Sequence, residues 1–391
     1  MAYYIPFINS EDDWSMSREV YQDSITYRVT MQSREKIGWT SFPQAKLWVD
    51  TEVDALHNWP DSNNSDFNSY FSNFVDARRI AQADFLLRPD RVVVSNFVNA
   101  ILDNVKHSVP SAGWLSIPQL PHLDGTERNK VNKALAEATY QWKSKTGFKG
   151  KLILPAIFIH QRQLNNKTDR NRKVSLVISC FEASGADGLW VVDSSLGDQE
   201  GTGSFVKRFQ GIIKLHEELN QKLPARAISI AGPYWALNLV LWVRGLVQFA
   251  AIGVGRGYKY YIPGSLRTRP ANVRVALPPL RRQALWSSDL KTWIEDALQK
   301  IPKNDIAHEQ FSDVLRHFHM LGGKKQARRQ IARFYRGWLK KFEGIPLEGR
   351  ALALYQDFSS AYVLGKTLND IPGDDVRSPS RIAEQFMMTC L

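Results

Sequence analysis

Residues 225–261, ARAISIAGPYWALNLVLWVRGLVQFAAIGVGRGYKYY, read as a buried strand over 226–231, a helix with Pro233 in its first turn over 233–247, a second buried strand over 249–254 and a Gly-Arg-Gly turn rich in cations and aromatics. A strand–helix–strand unit whose strands are continuously apolar implies a parallel sheet covered on both faces. In such sheets chemistry gathers where the strands end, here at Gly232–Asn238 and Gly253–Tyr261.

Upstream the same alternation continues. Strands are predicted at Arg91–Val94, Trp114–Ile117, Lys151–Phe158 and Leu189–Asp193, with helices over 96–106, 127–145, 168–184 and 204–221. Residues 173–181 can be read as a strand, but Val174, Val177, Ile178 and Phe181 keep helical spacing and Gly185 supplies a stop, so helix is preferred. Apolar runs at Tyr258–Pro263 and Val273–Pro279 are expected to add the closing strands. The fold expected is an α/β protein with a (β/α)8-like TIM barrel over 85–285. An open doubly wound sheet fits less well, because no glycine-rich dinucleotide fingerprint follows the first strand. Residues 1–84, with turn chemistry around Asn58-Trp-Pro-Asp-Ser-Asn-Asn-Ser-Asp66, are expected to form an irregular N-terminal extension. Residues 286–391 are expected to form a basic helical domain with helices over 288–300, 304–320, 324–343, 349–366 and 378–388.

The chain has 391 residues, 43% of them hydrophobic, enough for a full core. Its longest apolar stretch, Ala236–Val254, is broken by Arg244, so no membrane span is expected. The first residues lack the pattern of a secretory signal, which places the protein in the cytoplasm. Two cysteines, Cys180 and Cys390, cannot build a four-cysteine zinc site, no paired-His spacing replaces it, and neither metal nor cofactor is expected. A net charge of +12 favours a polyanionic partner, DNA or RNA first and an acidic membrane surface second, with protein partners also open. The cations concentrate in 162–173, 256–282 and 324–341. Helix 324–343 presents an apolar stripe of Ile331, Phe334, Tyr335, Trp338, Leu339 and Phe342, opposite a basic face. From these segments Arg170, Arg172, Lys173, Lys324, Lys325, Arg328, Arg329, Arg333 and Arg336 are the expected phosphate contacts, with a solvated basic face as the alternative.

Asp193 ends Trp190-Val-Val-Asp-Ser-Ser195 and can serve as nucleophile, general base or hard-metal ligand, or simply cap the amides of the next loop. Gln119, His122 and Asp124, together with His160 and Gln161, follow neighbouring strands and should rim the same mouth. There His160 can move a proton and Gln119 can hydrogen-bond a base, although each can equally be structural. Gly253, Gly255 and Arg256 can approach an anion, or form a tight turn; Tyr258, Tyr234, Trp235 and Asn238 can wall a planar ligand.

With Val192-Asp-Ser-Ser195 and Ile252-Gly-Val-Gly255 at its strand ends, the chain resembles the tRNA-guanine transglycosylase superfamily, including its DNA-modifying relatives. The Asp-Ser-Gly-Gly-Phe pattern and the zinc cysteines of that superfamily are missing. The resemblance implies a base-exchanging transferase on a TIM barrel, with Asp193 as the nucleophilic carboxylate and Gly253–Gly255 as pocket glycines. Three readings of function therefore stand: a nucleic-acid-acting barrel enzyme of this transferase kind, a non-catalytic nucleic-acid-binding subunit of a phage-defence or mobile-element assembly, and, ranked last, a small-molecule phosphate enzyme that is incidentally basic.

Overall fold

The computed structural model describes residues 3–30, 47–58, 70–109, 111–123, 127–159, 162–194, 196, 205–254, 260, 262, 273–320, 324–374 and 376–390. Eight parallel strands close a barrel in sequence order: β1 (Tyr4–Ile8), β2 (Tyr27–Thr30), β3 (Leu47–Asp50), β4 (Trp114–Ser116), β5 (Lys151–Phe158), β6 (Gly188–Asp193), β7 (Ile228–Ala231) and β8 (Phe249–Gly253). Closure runs through β1, whose Phe7 sits opposite both Arg28 of β2 and Gly253 of β8. The TIM-barrel-like α/β fold is thus as the alternation indicates, but its limits are not. The first 84 residues are no irregular extension, because they supply β1, β2 and β3. Conversely, Val273–Pro279 does not close the barrel. Its β9 (Arg274–Leu277) pairs antiparallel with β10 (Arg282–Leu285) in a separate two-stranded sheet. The run Tyr258–Pro263 lies outside the described residues except for Tyr260 and Ile262.

Helices pack outside the strands. They are α1 (Glu11–Val20), α2 (Ala77–Ala81), α3 (Ala83–Leu87), α4 (Arg91–Lys106), α5 (Glu127–Thr146), α6 (Lys167–Ser184), α7 (Phe205–Lys222) and α8 (Ala236–Val243). Arg91–Val94, expected as a strand, is the first turn of α4. Asp90 caps it by accepting from the amides of Val92 and Val93, and Val94, Val98, Ile101 and Val105 then fall on one buried face. The cap and the 3.6-residue period outweigh the β-preference of three consecutive valines. Helix α6 follows its signals: Asn166 accepts from the amides of Thr168 and Asp169, and Gly185 ends it at φ +60°.

The C-terminal part contains α9 (Ser288–Lys300), α10 (Ile306–Met320), α11 (Lys324–Glu343), α12 (Leu347–Thr367) and α13 (Arg381–Cys390). Helices α9 and α10 bury Leu290, Trp293, Ile294 and Phe311 with Val275 and Leu277 of the hairpin in a core of their own. The α11 stripe joins the barrel's core instead, where Tyr335 and Trp338 pack tilted against Trp235 at 5.1 and 5.9 Å between ring centroids. A buried carboxylate fastens the pieces. Asp357 of α12 accepts from Arg281 at 2.6 Å, from the Trp338 indole at 2.8 Å and from Lys341, and these partners hold its carboxyl below the usual range.

Inside the barrel, register fixes which residues face inward, since parallel partners share a face. Trp48 pairs with Arg28 and Trp114, and Trp190 with Pro155 and Ile230. The interior is accordingly aromatic. Phe7, Trp48 and Trp190 meet edge to face at centroid separations of 5.4–5.8 Å. The indole N–H groups of Trp48 and Trp190 are satisfied, as burial demands, by Ser116 Oγ at 2.9 Å and the Gly232 carbonyl at 2.6 Å.

Candidate active site at the barrel mouth

Alternation along β2 and β3 places Arg28 and Thr30, and Trp48 and Asp50, on the inner face, so a charged pair crowns the aromatic layer. The Arg28 guanidinium donates from Nε to Asp50 Oδ2 at 2.8 Å, and its Nη2 reaches the same oxygen. It lies over the rings of Phe7, Trp190 and Tyr260, with 4.3, 5.1 and 5.7 Å to their centroids. Cation–π contact compensates part of the desolvation of a charge in such a wall.

Beyond Asp50 the chain continues Thr51-Glu-Val-Asp54, and both carboxyls turn into the same buried environment. Glu52 adopts φ +52°, a left-handed conformation that costs a non-glycine residue about 1–2 kcal/mol. Its amide reaches Asp50 Oδ1 at 3.3 Å, Thr30 hydrogen-bonds its carboxyl, and its Oε2 is buried without a hydrogen-bond partner. Burial pushes the Glu52 carboxyl well above the carboxylate range, and the negative charges of Asp50 and Asp54 add to the rise. Asp54 accepts from the Tyr260 hydroxyl at 2.6 Å. Burial, then repulsion from Asp50, raises its carboxyl to about 7. One ion-paired carboxylate and two carboxyls that retain protons therefore share one strand end, where a barrel carries its chemistry.

No protein family and no curated protein matches this sequence.

The described side chains singled out from sequence do not join this carboxyl cluster. Asp193 ends β6 on the inner-face count opposite to Trp190, so it points to the helix layer, where Arg208 of α7 holds it at 3.1 Å. Its amide donates to the Tyr234 hydroxyl, and both side chains are buried. Gln119 donates to the carbonyls of Pro118 and Asn132, bracing the connection from β4 to α5. His122 stacks on Phe158, and burial, reinforced by Lys173, lowers its pKa to about 3, which keeps it neutral. Trp235 donates to the Arg281 carbonyl and packs on α11, and Asn238 donates to the Ala251 carbonyl beside Gly232. These three last-named side chains, with Tyr234, are built into the packing behind the strands. Gly253 reaches the inner face beside Phe7. His160, Gln161, Asp124, Gly255, Arg256 and Tyr258 lie outside the described residues.

The expected phosphate contacts divide. Arg170 is buried, donating to Glu218 at 2.7 Å and to the Leu164 carbonyl, and Lys173 donates to the Leu123 carbonyl, so both fasten α6 to its surroundings. Arg172 is exposed, 3.7 Å from Asp169. On α11 the basic face meets the acidic side of α1 and the turn after it: Lys325 with Asp12 at 2.9 Å, Arg329 and Arg333 with Glu19 at 2.8 and 2.5 Å, and Arg336 with Asp23, beyond the helix, at 2.5 Å. Arg328 stands half-buried near Asp12, and the side chain of Lys324 lies outside the described residues. Among the described residues no three His, Cys, Asp or Glu side chains form a metal-holding group, and no helix is long and apolar enough to cross a membrane.

Sequence reasoning missed Arg28, Asp50, Glu52, Asp54 and Tyr260. A signal existed in Leu47-Trp-Val-Asp-Thr-Glu-Val-Asp54, an alternating run whose apolar half gives way to three carboxylates two residues apart.

Proposed function

We propose that the protein is an enzyme that cleaves or exchanges a glycosidic bond at the barrel mouth, with a nucleoside-containing substrate. The observation that carries this reading is the coexistence, on one strand end, of the Arg28-paired Asp50 and the proton-retaining Asp54 and Glu52. Glycosyl transfer uses two carboxyl groups in different protonation states, one to protonate the leaving group and one to face the positive charge that develops on the sugar. Here Asp54 donates the proton, Asp50 faces the developing cation, and Glu52, with its free Oε2, is a second proton carrier. A substrate takes over from Tyr260 the hydrogen bond to Asp54. Aromatic walls suit a planar base, and the +12 charge suits its phosphates.

This keeps the base-exchange chemistry expected from sequence while moving it from Asp193 to β3. Asp193 is engaged by Arg208 behind the strands, which fits a structural ion pair better than a nucleophile. The binding-subunit alternative draws less support, because α1 already neutralises much of α11. The test is release of free base from nucleosides and oligonucleotides, followed chromatographically. Wild type should turn over, and Asp54→Asn should lose a factor of about 10²–10⁴ with its fold intact. The wild-type rate should fall above pH about 7, as the acid ionises. A full rate in Asp54→Asn overturns the assignment.

A further inference from the structure

The carboxyl cluster stands at the C-terminal ends of the strands. At the opposite end of the barrel α5, α6 and α7 stop and the chain returns into β5, β6 and β7. Backbone bonds hold these three entries level, the Asp187 amide donating to the Leu152 carbonyl at 2.8 Å and the Ile228 amide to the Asp187 carbonyl at 3.0 Å. Five exposed cations gather there: Lys145 in the last turn of α5, Lys149 and Lys151 leading into β5, Lys222 at the end of α7 and Arg226 just before β7. None of the five is in an ion pair, whereas nearby Lys143 holds Asp187 at 3.2 Å and Arg244 holds Glu217 at 2.9 Å. Across 143–151, 182–187 and 217–227, every residue of which the structure describes, Glu182 is the acidic side chain left outside a pair. Helix C-termini attract cations because their free carbonyls carry partial negative charge, and that accounts for Lys145 and Lys222. Lys149, Lys151 and Arg226 belong to no helix. With neighbouring strands about 4.8 Å apart, the entries of β5 and β7 are about 10 Å from each other, close to the Debye length at 0.1 M salt, so the charges act on one ligand together.

We infer that this end of the barrel is a docking surface for the phosphate backbone of duplex nucleic acid, contacted without regard to base sequence. It goes beyond the reading of Asp50, Glu52 and Asp54, lies at the other end of the barrel, and does not depend on it. A membrane surface fits less well, because none of the exposed large apolar side chains among the described residues lies in these turns to anchor in lipid. A single strand fits less well too. Tyr140, whose ring lies against Gly185, is an exposed aromatic beside the turns, but one ring does not make a stacking track, and the duplex has the denser row of phosphates. Flexible lysines, which act as point charges, suit phosphates whose positions vary along a backbone. The surface also gives the excess positive charge a location that α11, already paired with α1, does not.

The experiment is fluorescence anisotropy of a short labelled DNA duplex of mixed sequence titrated with the full-length protein across a range of salt concentrations. Five phosphate contacts give a slope of log K against log salt of about −4.5. Lys149→Glu, Lys151→Glu and Arg226→Glu combined should weaken binding at least tenfold and flatten the slope to about −2, at an unchanged melting temperature. A duplex of unrelated sequence should bind as well as the first. Wild-type affinity in the combined variant, absence of salt dependence, a strong preference for one sequence, or tighter binding of a single strand of equal length overturns the inference. So does saturable binding to vesicles of phosphatidylserine and phosphatidylcholine that the same variant abolishes. If the combined variant does not fold, Lys149→Gln, Lys151→Gln and Arg226→Gln replace it: binding at least threefold weaker with a flattened slope supports the surface, and unchanged binding overturns it.

Discussion

Replacing Asp54 by Asn should make the protein more stable at neutral pH while disabling the site. The Asp54 carboxyl titrates at about 7 in the folded chain, against an ordinary value of 3.8. The folded state therefore holds a proton that the unfolded chain releases, and stability falls as pH rises from about 4 to about 7, then levels off. Three pKa units at 1.36 kcal/mol each set a ceiling of about 4 kcal/mol on the cost of ionising Asp54 in place. Asparagine has no such cost, and its amide oxygen still accepts from the Tyr260 hydroxyl. Denaturant unfolding of both proteins at closely spaced pH values is the assay. The variant should match wild type near pH 4 and exceed it by 1–4 kcal/mol, to order of magnitude, at pH 8. A gap that does not change with pH, or a less stable variant at pH 8, refutes a raised Asp54 pKa and with it the division of roles among the three carboxyls.

Asp193→Asn should destabilise the protein by about 3 kcal/mol, because it leaves Arg208 buried without its counter-charge, and a urea midpoint shared with wild type would contradict that. Asp357→Ala should cost about 3–5 kcal/mol, since Arg281, Trp338 and Lys341 lose one shared acceptor; a thermal melt reads this directly. The Cys180 thiol, buried and pushed up to about 12, should resist a maleimide at pH 8 until denaturant is added, and rapid labelling of the native protein at this position would show the packing to be looser than described. Arg329→Glu should weaken the seat of α11 on α1 by about 1 kcal/mol, and adding Glu19→Arg should restore most of it in a double-mutant cycle.

The half of the barrel from β4 to β8 was legible because its strands are apolar and α6 carries both of its capping signals. Lys151–Phe158 and Gly188–Asp193 needed little more than hydrophobicity and flanking glycines. The first half was not. Strands β2 and β3 are no shorter than β4 or β7, but they carry Arg28 and Asp50 on the face that pattern reasoning expects to be apolar. Local rules fail where a site is built, so the polarity that hides these strands is also what makes them functional candidates. Asp193 misled for the complementary reason. It occupies a strand end, as catalytic carboxylates do, but a single residue of pleat turns it away from the mouth and towards Arg208.

The pairing of Tyr4–Ile8 with Phe249–Gly253 also sets an order of events during synthesis. The first strand emerges from the ribosome some 240 residues before the strand that must lie along one of its sides, roughly 12–50 seconds at ordinary elongation rates. Until then the nascent sheet has an open flank of unsatisfied backbone groups at β1, and Phe7 lacks its wall at Trp190 for most of the same interval. Barrel closure is therefore a late, long-range step, and the acidic α1 that later receives α11 waits longer still. Strains short of folding assistance should accumulate the chain as an insoluble species, and fragments ending before residue 249 should behave likewise.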